Sequence, residues 1–328
     1  MTPVRKSRFR RRATRGIAAI LTLLLLAGIA GLYLLRSTAG ARWITARLVA
    51  REPRLALQVL GGTLWNGLHL RDLSWFDGAN RFSLATLETR WTVSLFPRPG
   101  IRIHHLHADG LRIDIASEKS TAPADPEPFR LLKYFSASQH PPVELPDLHL
   151  PLDIHVRSFD LRRVTLNFGG DPRLIASLRF SADWIGDLLT IHRFHLDHEQ
   201  GQVEASGTLR PADDYPLDLS IRIRSDRLLP PHDLSLDLSL TQSLADLAFT
   251  ARLVGPGVLE AHGEIHPLDP HRPMRATLTW SQLVWPLQNE PVVTSESGRL
   301  DLRGSLESAA IDAVWVFSGT YIPEGRWT

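Results

Sequence analysis

From residue 55 onward apolar and polar residues alternate one for one, a period that a β-strand can use and a helix cannot. Leu217, Leu219, Ile221 and Ile223 alternate with Asp218, Ser220, Arg222 and Arg224. Leu234, Leu236, Leu238 and Leu240 alternate with Ser235, Asp237, Ser239 and Thr241. Val164, Leu166 and Phe168 do so against Arg163, Thr165 and Asn167, as do Phe249 and Leu253 around Thr250 and Arg252, and Leu278 and Trp280 around Thr279. Each run gives a strand one apolar and one wet face. Short Pro, Gly or Asp punctuation between runs favours hairpins and an antiparallel meander.

A local grammar recurs along this body. Residues 203–211 (VEASGTLRP) are echoed by residues 259–267 (LEAHGEIHP) and more faintly by residues 300–306 (LDLRGSL). The spacing is irregular, so the repeated unit is a hairpin and not a strict solenoid turn. One stretch interrupts the pattern: residues 117–128 (SEKSTAPADPEP) read as a polar, Pro-rich linker. Residues 128–139 follow with Pro128 at a plausible first helical position and Leu131, Leu132 and Phe135 on one side, predicting a short amphipathic helix. The body then divides into strand regions at 53–116 and 141–328, separated by linker and helix at 117–140. Periodicity leaves two architectures open. The apolar faces of two sheets can close on each other, the commoner antiparallel solution. Alternatively one long curved sheet presents its apolar face as a groove, which must then be filled.

The first fifty residues have another character. Residues 1–15 carry seven cationic side chains and no acid, and residues 17–35 (IAAILTLLLLAGIAGLYLL) contain no charge. That length, at about 1.5 Å per helical residue, matches a bilayer core. We therefore expect a transmembrane helix over 16–35, with Ile17, Leu23, Leu26, Leu32 and Leu35 facing lipid. The positive-inside rule keeps residues 1–15 in the cytoplasm and exports the rest. A cleaved signal peptide is the competing reading, since residues 37–41 are small; its apolar core usually runs 7–15 residues, shorter than this one. Residues 36–52 read as a juxtamembrane helix, with Trp43, Ile44 and Leu48 able to share a face among Arg42, Arg47 and Arg51. Trp and Arg suit a membrane interface, and a helix packed on the first strands is the plainer alternative.

Removing the seven leading cations from the 37 basic residues leaves 30 against 35 acids, so the body is net acidic. Such a body lacks the electrostatic footprint for nucleic acid. No cysteine is present, which excludes thiolate chemistry and Cys-ligated zinc. His104, His105 and His107 cluster on one strand, and His192, His195 and His198 are spaced for one helix face. In a strand, however, His195 points away from the other two, and neither set has a convergent carboxylate shell, so solvated strand positions are expected and no metal. No nucleophile elbow, phosphate loop or dinucleotide fingerprint is present, and no cofactor or catalytic residue is expected. Of the Trp residues, Trp65, Trp75, Trp91, Trp184, Trp280, Trp285, Trp315 and Trp327 lie in the body and suit either a groove or a core.

Residues 61–75 (GGTLWNGLHLRDLSW), 101–115 (IRIHHLHADGLRIDI), 145–156 (LPDLHLPLDIHV), 201–209 (GQVEASGTL), 215–219 (YPLDL) and 283–286 (LVWP), in that order, resemble the TamB family of the AsmA-like group. That resemblance runs along essentially the whole chain. It implies a mainly β fold, a taco-like hydrophobic groove of elongated, repetitive antiparallel sheet behind an inner-membrane anchor, with the body in the periplasm. It further implies phospholipid acyl chains as cargo, an outer-membrane β-barrel partner of the TamA type, and a role in outer-membrane protein and autotransporter assembly. Family members are longer and dock their barrel partner through a C-terminal domain. Residues 319–328 fall inside another copy of the hairpin unit, so a fragment without the docking region is expected. A scaffold that pairs strand edges with outer-membrane clients is the alternative function, and an exported hydrolase stands third.

Overall fold

The computed structural model describes residues 31, 33–78, 80–94, 96–115, 146–168, 172–229, 232–269, 271–285, 293–305, 308–319 and 322–327. The expected membrane span at 16–35 lies almost wholly outside these residues, and the expected linker and helix at 117–140 lie entirely outside them. Among the described residues no helix is long and apolar enough to cross a membrane. After helical residues at 33–36 comes helix α1 (Thr38–Arg51), followed by β1 (Leu55–Thr63), β2 (Gly67–Asp77), β3 (Asn80–Ser94), β4 (Gly100–Asp114), β5 (Asp153–Asn167), β6 (Arg173–Ile185), β7 (Leu188–His198) and β8 (Gly201–Leu209). Then come β9 (Pro216–Leu229), β10 (His232–Ser243), β11 (Leu247–Val254), β12 (Val258–Ile265), β13 (Pro273–Trp285), β14 (Val293–Ser305), β15 (Ala309–Gly319) and β16 (Ile322–Trp327).

All sixteen strands form one open sheet in chain order. Among the described residues the period-two runs meet no second sheet: packing runs between sheet neighbours, and the sandwich that periodicity alone favours is not formed by these strands. The meander is antiparallel with one exception. Strands β4 and β5 pair in parallel, Gly100 opposite Asp153 and Asp114 opposite Asn167, which corrects the expectation of a purely antiparallel sheet. A parallel pair needs a connection that returns the chain to the starting end, and this is why the polar interruption sits between these two strands.

Two levels of β-bulge cross the first half of the sheet. At one, Asp72, Ala85, Gly110, Arg163 and Ala176 are each an extra residue in five successive strands. Because neighbours carry the same insertion, the pairing between them stays flush. Backbone φ is positive at Asp72, Gly110 and Arg163, at 53°, 71° and 53°, the local cost of that insertion. The second level adds a residue in β4 beside His104, in β5 at Arg157 and Ser158, and in β7 at His192 and Arg193.

Candidate functional site

Residues directly opposite one another in neighbouring strands share a face, so the register traces each face across the sheet. One row runs Val59, Leu70, Leu87, Ala108, Leu161, Leu178, Leu196, Val203, Ile223, Leu236, Leu253, Leu259, Trp280, Gly298 and Trp315. It crosses β1 to β15 without a polar residue. Gly298 is no gap, because the Trp280 indole lies over it where a Cβ would stand. A parallel row joins Leu106, Phe159, Phe180, Phe194, Ala205, Ile221, Leu238, Ala251, Ala261, Leu278 and Leu300. A third joins Trp91, Ile103, Val156, Ala182 and Ile191 to Gly207, Leu219, Leu240, Phe249 and Gly263.

The expected groove residues fall on this face. Ile223, Leu236, Leu253 and Trp280 belong to the first row, Ile221, Leu238 and Leu278 to the second, Leu219, Leu240 and Phe249 to the third. Leu217 opposes Leu209 and continues the face toward one rim. Val164, opposite Ile175, and Leu166, two residues on, reach it on β5 once Arg163 is counted as a bulge, and Leu234 reaches it on β10 opposite Ser225. Phe168 does not take part: it lies past the end of β5 and is 54% exposed. Trp75, Trp91, Trp184, Trp280 and Trp315 also occupy this face; the Trp75 and Phe82 rings are 5.4 Å apart. The anchor residues Ile17, Leu23, Leu26 and Leu32 lie outside the described residues.

Most side chains of the rows are half-buried, and among the described residues they are shielded by one another and not by a covering layer. Closure is local. Residues 146–149 cross one rim, where Leu148 N donates to the Pro211 carbonyl at 2.8 Å, Asp213 N donates to Asp147 Oδ1 at 3.1 Å, and the Tyr215 hydroxyl donates to the Pro146 carbonyl. Beneath that strap Ala212, Tyr215 and Leu217 are buried, with Leu217 only 7% exposed. Val164, at 3%, is the other closed point among the expected residues.

The opposite face is a ladder of charge. His69, Glu88, His107, Asp160, Arg179, His195, Glu204, Arg222, Asp237, Arg252 and Glu260 are successive partners from β2 to β12, acid and base alternating at all but one step. His107 Nδ1 lies 3.4 Å from Asp160 Oδ2, and Arg222 Nε donates to Asp237 Oδ1 at 2.6 Å. Cross-strand opposite charges favour this register, and a one-residue slip would carry the ladder onto the apolar face. Arg163 holds the Asp109 carboxyl below the usual range, and Arg112 does the same for Asp114. Burial pushes Asp160 and Asp183 up, but Arg162 and His107 outweigh it at Asp160, and His192 and His155 at Asp183, so both are lowered. Asp301, beside Arg299 and Thr277, is lowered to about 2.

Histidine orientation needs one correction. The bulge at His192 and Arg193 flips parity, so His192 and His195 lie together on the polar face, the first donating from Nε2 to Asp183 Oδ2 at 2.8 Å and the second 3.5 Å from Glu204. His198 opposes Gly201, on the apolar side. His105 and His107 do share a face, their rings 6.0 Å apart. Among the described residues no set of three or more His, Asp or Glu is placed to hold a metal. Sequence alternation missed Leu73 and Phe82 as apolar-face residues, because Asp72 and Ala85 interrupt the period; the positive φ at a non-glycine residue left no signal beyond the broken pattern.

The profile of a family described as TamB, N-terminal domain, matches residues 131–328. No solved structure matches the chain.

Proposed function

Since this chain belongs to the TamB family, we propose that its body is a lipid-conducting β-groove of the translocation and assembly module, held at the inner membrane and reaching through the periplasm. The observation that carries this reading is the row of apolar side chains running across β1 to β15 on a sheet that meets no second layer among the described residues. A contiguous apolar surface of that extent is not left open to water. Acyl chains fit it: each buried methylene gains about 0.8 kcal/mol, and rows spaced along parallel strand positions offer a continuous track with no polar step. On this reading the sheet curves with its apolar face inward, and headgroups stay in water at the rims. Residues 16–35 anchor the chain, and an outer-membrane barrel of the TamA type is the partner at the far end. Passage is passive at this chain, since acyl transfer along a dry face needs no proton or phosphate chemistry from it.

Native mass spectrometry of the protein purified from cell envelopes tests the proposal. Stoichiometric phospholipid, lost when Leu236 and Leu238 are both replaced by Asp in a protein that stays folded, is the expected result. A lipid-free protein that binds unfolded barrel strands would instead make it an edge-pairing scaffold.

A further inference from the structure

We propose that α1 is a foot that lies on the anionic surface of the bilayer and holds the β1 end of the apolar face against the leaflet. The inference rests on the inner-membrane reading above and adds the surface and the orientation. The helix begins at Ser37, whose hydroxyl accepts from Gly40 N at 2.9 Å, and Gly40 packs directly on the Leu34 backbone. A side chain at position 40 would not fit there, so the helical residues at 33–36 and the start of α1 meet backbone to backbone. The incoming chain is pinned to the β1–β2 turn as well. Trp65 N donates to the Leu35 carbonyl at 3.1 Å, and the Arg36 guanidinium stacks 4.9 Å above the Trp65 ring.

Gly40, Ala41 and Thr45 are the buried positions of α1, which packs on β1. The other side is open. Trp43, Ala46, Arg47 and Ala50 recur at three- and four-residue spacing, with Arg42 and Arg51 on the flanks, and all six are exposed. Trp43 is 59% exposed, and Tyr33, just before the turn, 67%. Trp43 is a large aromatic left in water on a helix whose only charges are cationic, and no ring or cation contact to it is made among the described residues. Its chemistry matches the headgroup layer: an indole settles at the interface, guanidinium groups pair with lipid phosphates, and anionic lipid adds to both. The uncharged residues 17–35 immediately before it deliver the helix to that depth.

Because the chain has no cysteine, Ala46→Cys and Ser220→Cys each accept a single environment-sensitive fluorophore. The full chain is reconstituted in nanodiscs of phosphatidylcholine with or without phosphatidylglycerol. The label at 46 is expected to shift to the blue, to resist aqueous iodide, and to be quenched by headgroup-proximal bromolipid, more so with phosphatidylglycerol; the label at 220, on the polar face, is expected to behave as in water. Replacing Arg42, Arg47 and Arg51 by Glu should return the label at 46 to water while the protein still co-floats with lipid. A label at 46 as accessible to iodide as that at 220, in a chain that co-floats, would overturn the foot and leave the anchor standing. Loss of flotation in the unsubstituted chain would overturn both.

Discussion

The two halves of the sheet solve one problem differently. From β8 to β13 the strands are nearly regular: the β8–β9, β10–β11, β11–β12 and β12–β13 pairs run without a register shift, and β9–β10 shifts only at its end, between His232 and Leu234. From β1 to β7 two levels of bulge and a parallel pair break the period, yet the same apolar row continues. A face is therefore kept by register across strands and not by alternation along one. An extra residue is harmless to the face when the neighbouring strands carry it too. The bulged half also holds most of the lowered carboxylates, Asp109, Asp114, Asp160 and Asp183, while the later half holds Asp301. Closure differs by place as well: Val164 in the first half is 3% exposed, whereas Leu238 in the later half, away from the strap that buries Leu217, is half-buried.

Four expected outcomes test this contrast. Val164→Asp should cost about 3–4 kcal/mol in urea unfolding, against about 1–2 for Leu238→Asp, because an unpaired charge at a closed point keeps no water. Equal losses would mean that the later half is closed too. Gly110→Ala should cost about 1–3 kcal/mol by the same assay, since a Cβ there stands 2.9 Å from that of Ala85 at a φ of 71°. A smaller loss would show that the bulge level gives way.

Acid provides a third comparison. A carboxyl whose folded pKa lies below its unfolded value contributes stability above that unfolded value, about 4, and loses it as pH falls through the folded one. The stability these carboxyls contribute should thus be level down to about pH 5 and decline from there toward pH 2, where Asp301 titrates. Amides of β4–β6 should lose hydrogen-exchange protection before those of β10–β12; simultaneous loss would count against a distinct first half. Least of all, Arg222→Ala should leave the urea unfolding midpoint almost unchanged, since its pairs with Asp237 and Glu204 are half exposed. A marked drop would make the ladder a structural girder and not a guard of register.

The regular half was legible in advance. Leu217 to Ile223 and Leu234 to Leu240 face where period two puts them, because nothing interrupts the pleat. The grammar of residues 203–211 and 259–267 marked real strand ends: Gly207 and Gly263 both sit in the third row, where the next backbone passes too close for a side chain. The bulged half was not legible, since a side chain such as Asp72 or His192 does not announce that its backbone is an insertion. The missing second sheet could not be read from periodicity either, because one face looks the same whether it meets protein or lipid.

The most direct test places a photo-crosslinking residue at Leu219 or Ser220, neighbours in β9 that face opposite sides of the sheet. In cell envelopes, phospholipid adducts are expected at 219 and not at 220. Adducts at neither position, or equally at both, would contradict an apolar face that carries lipid.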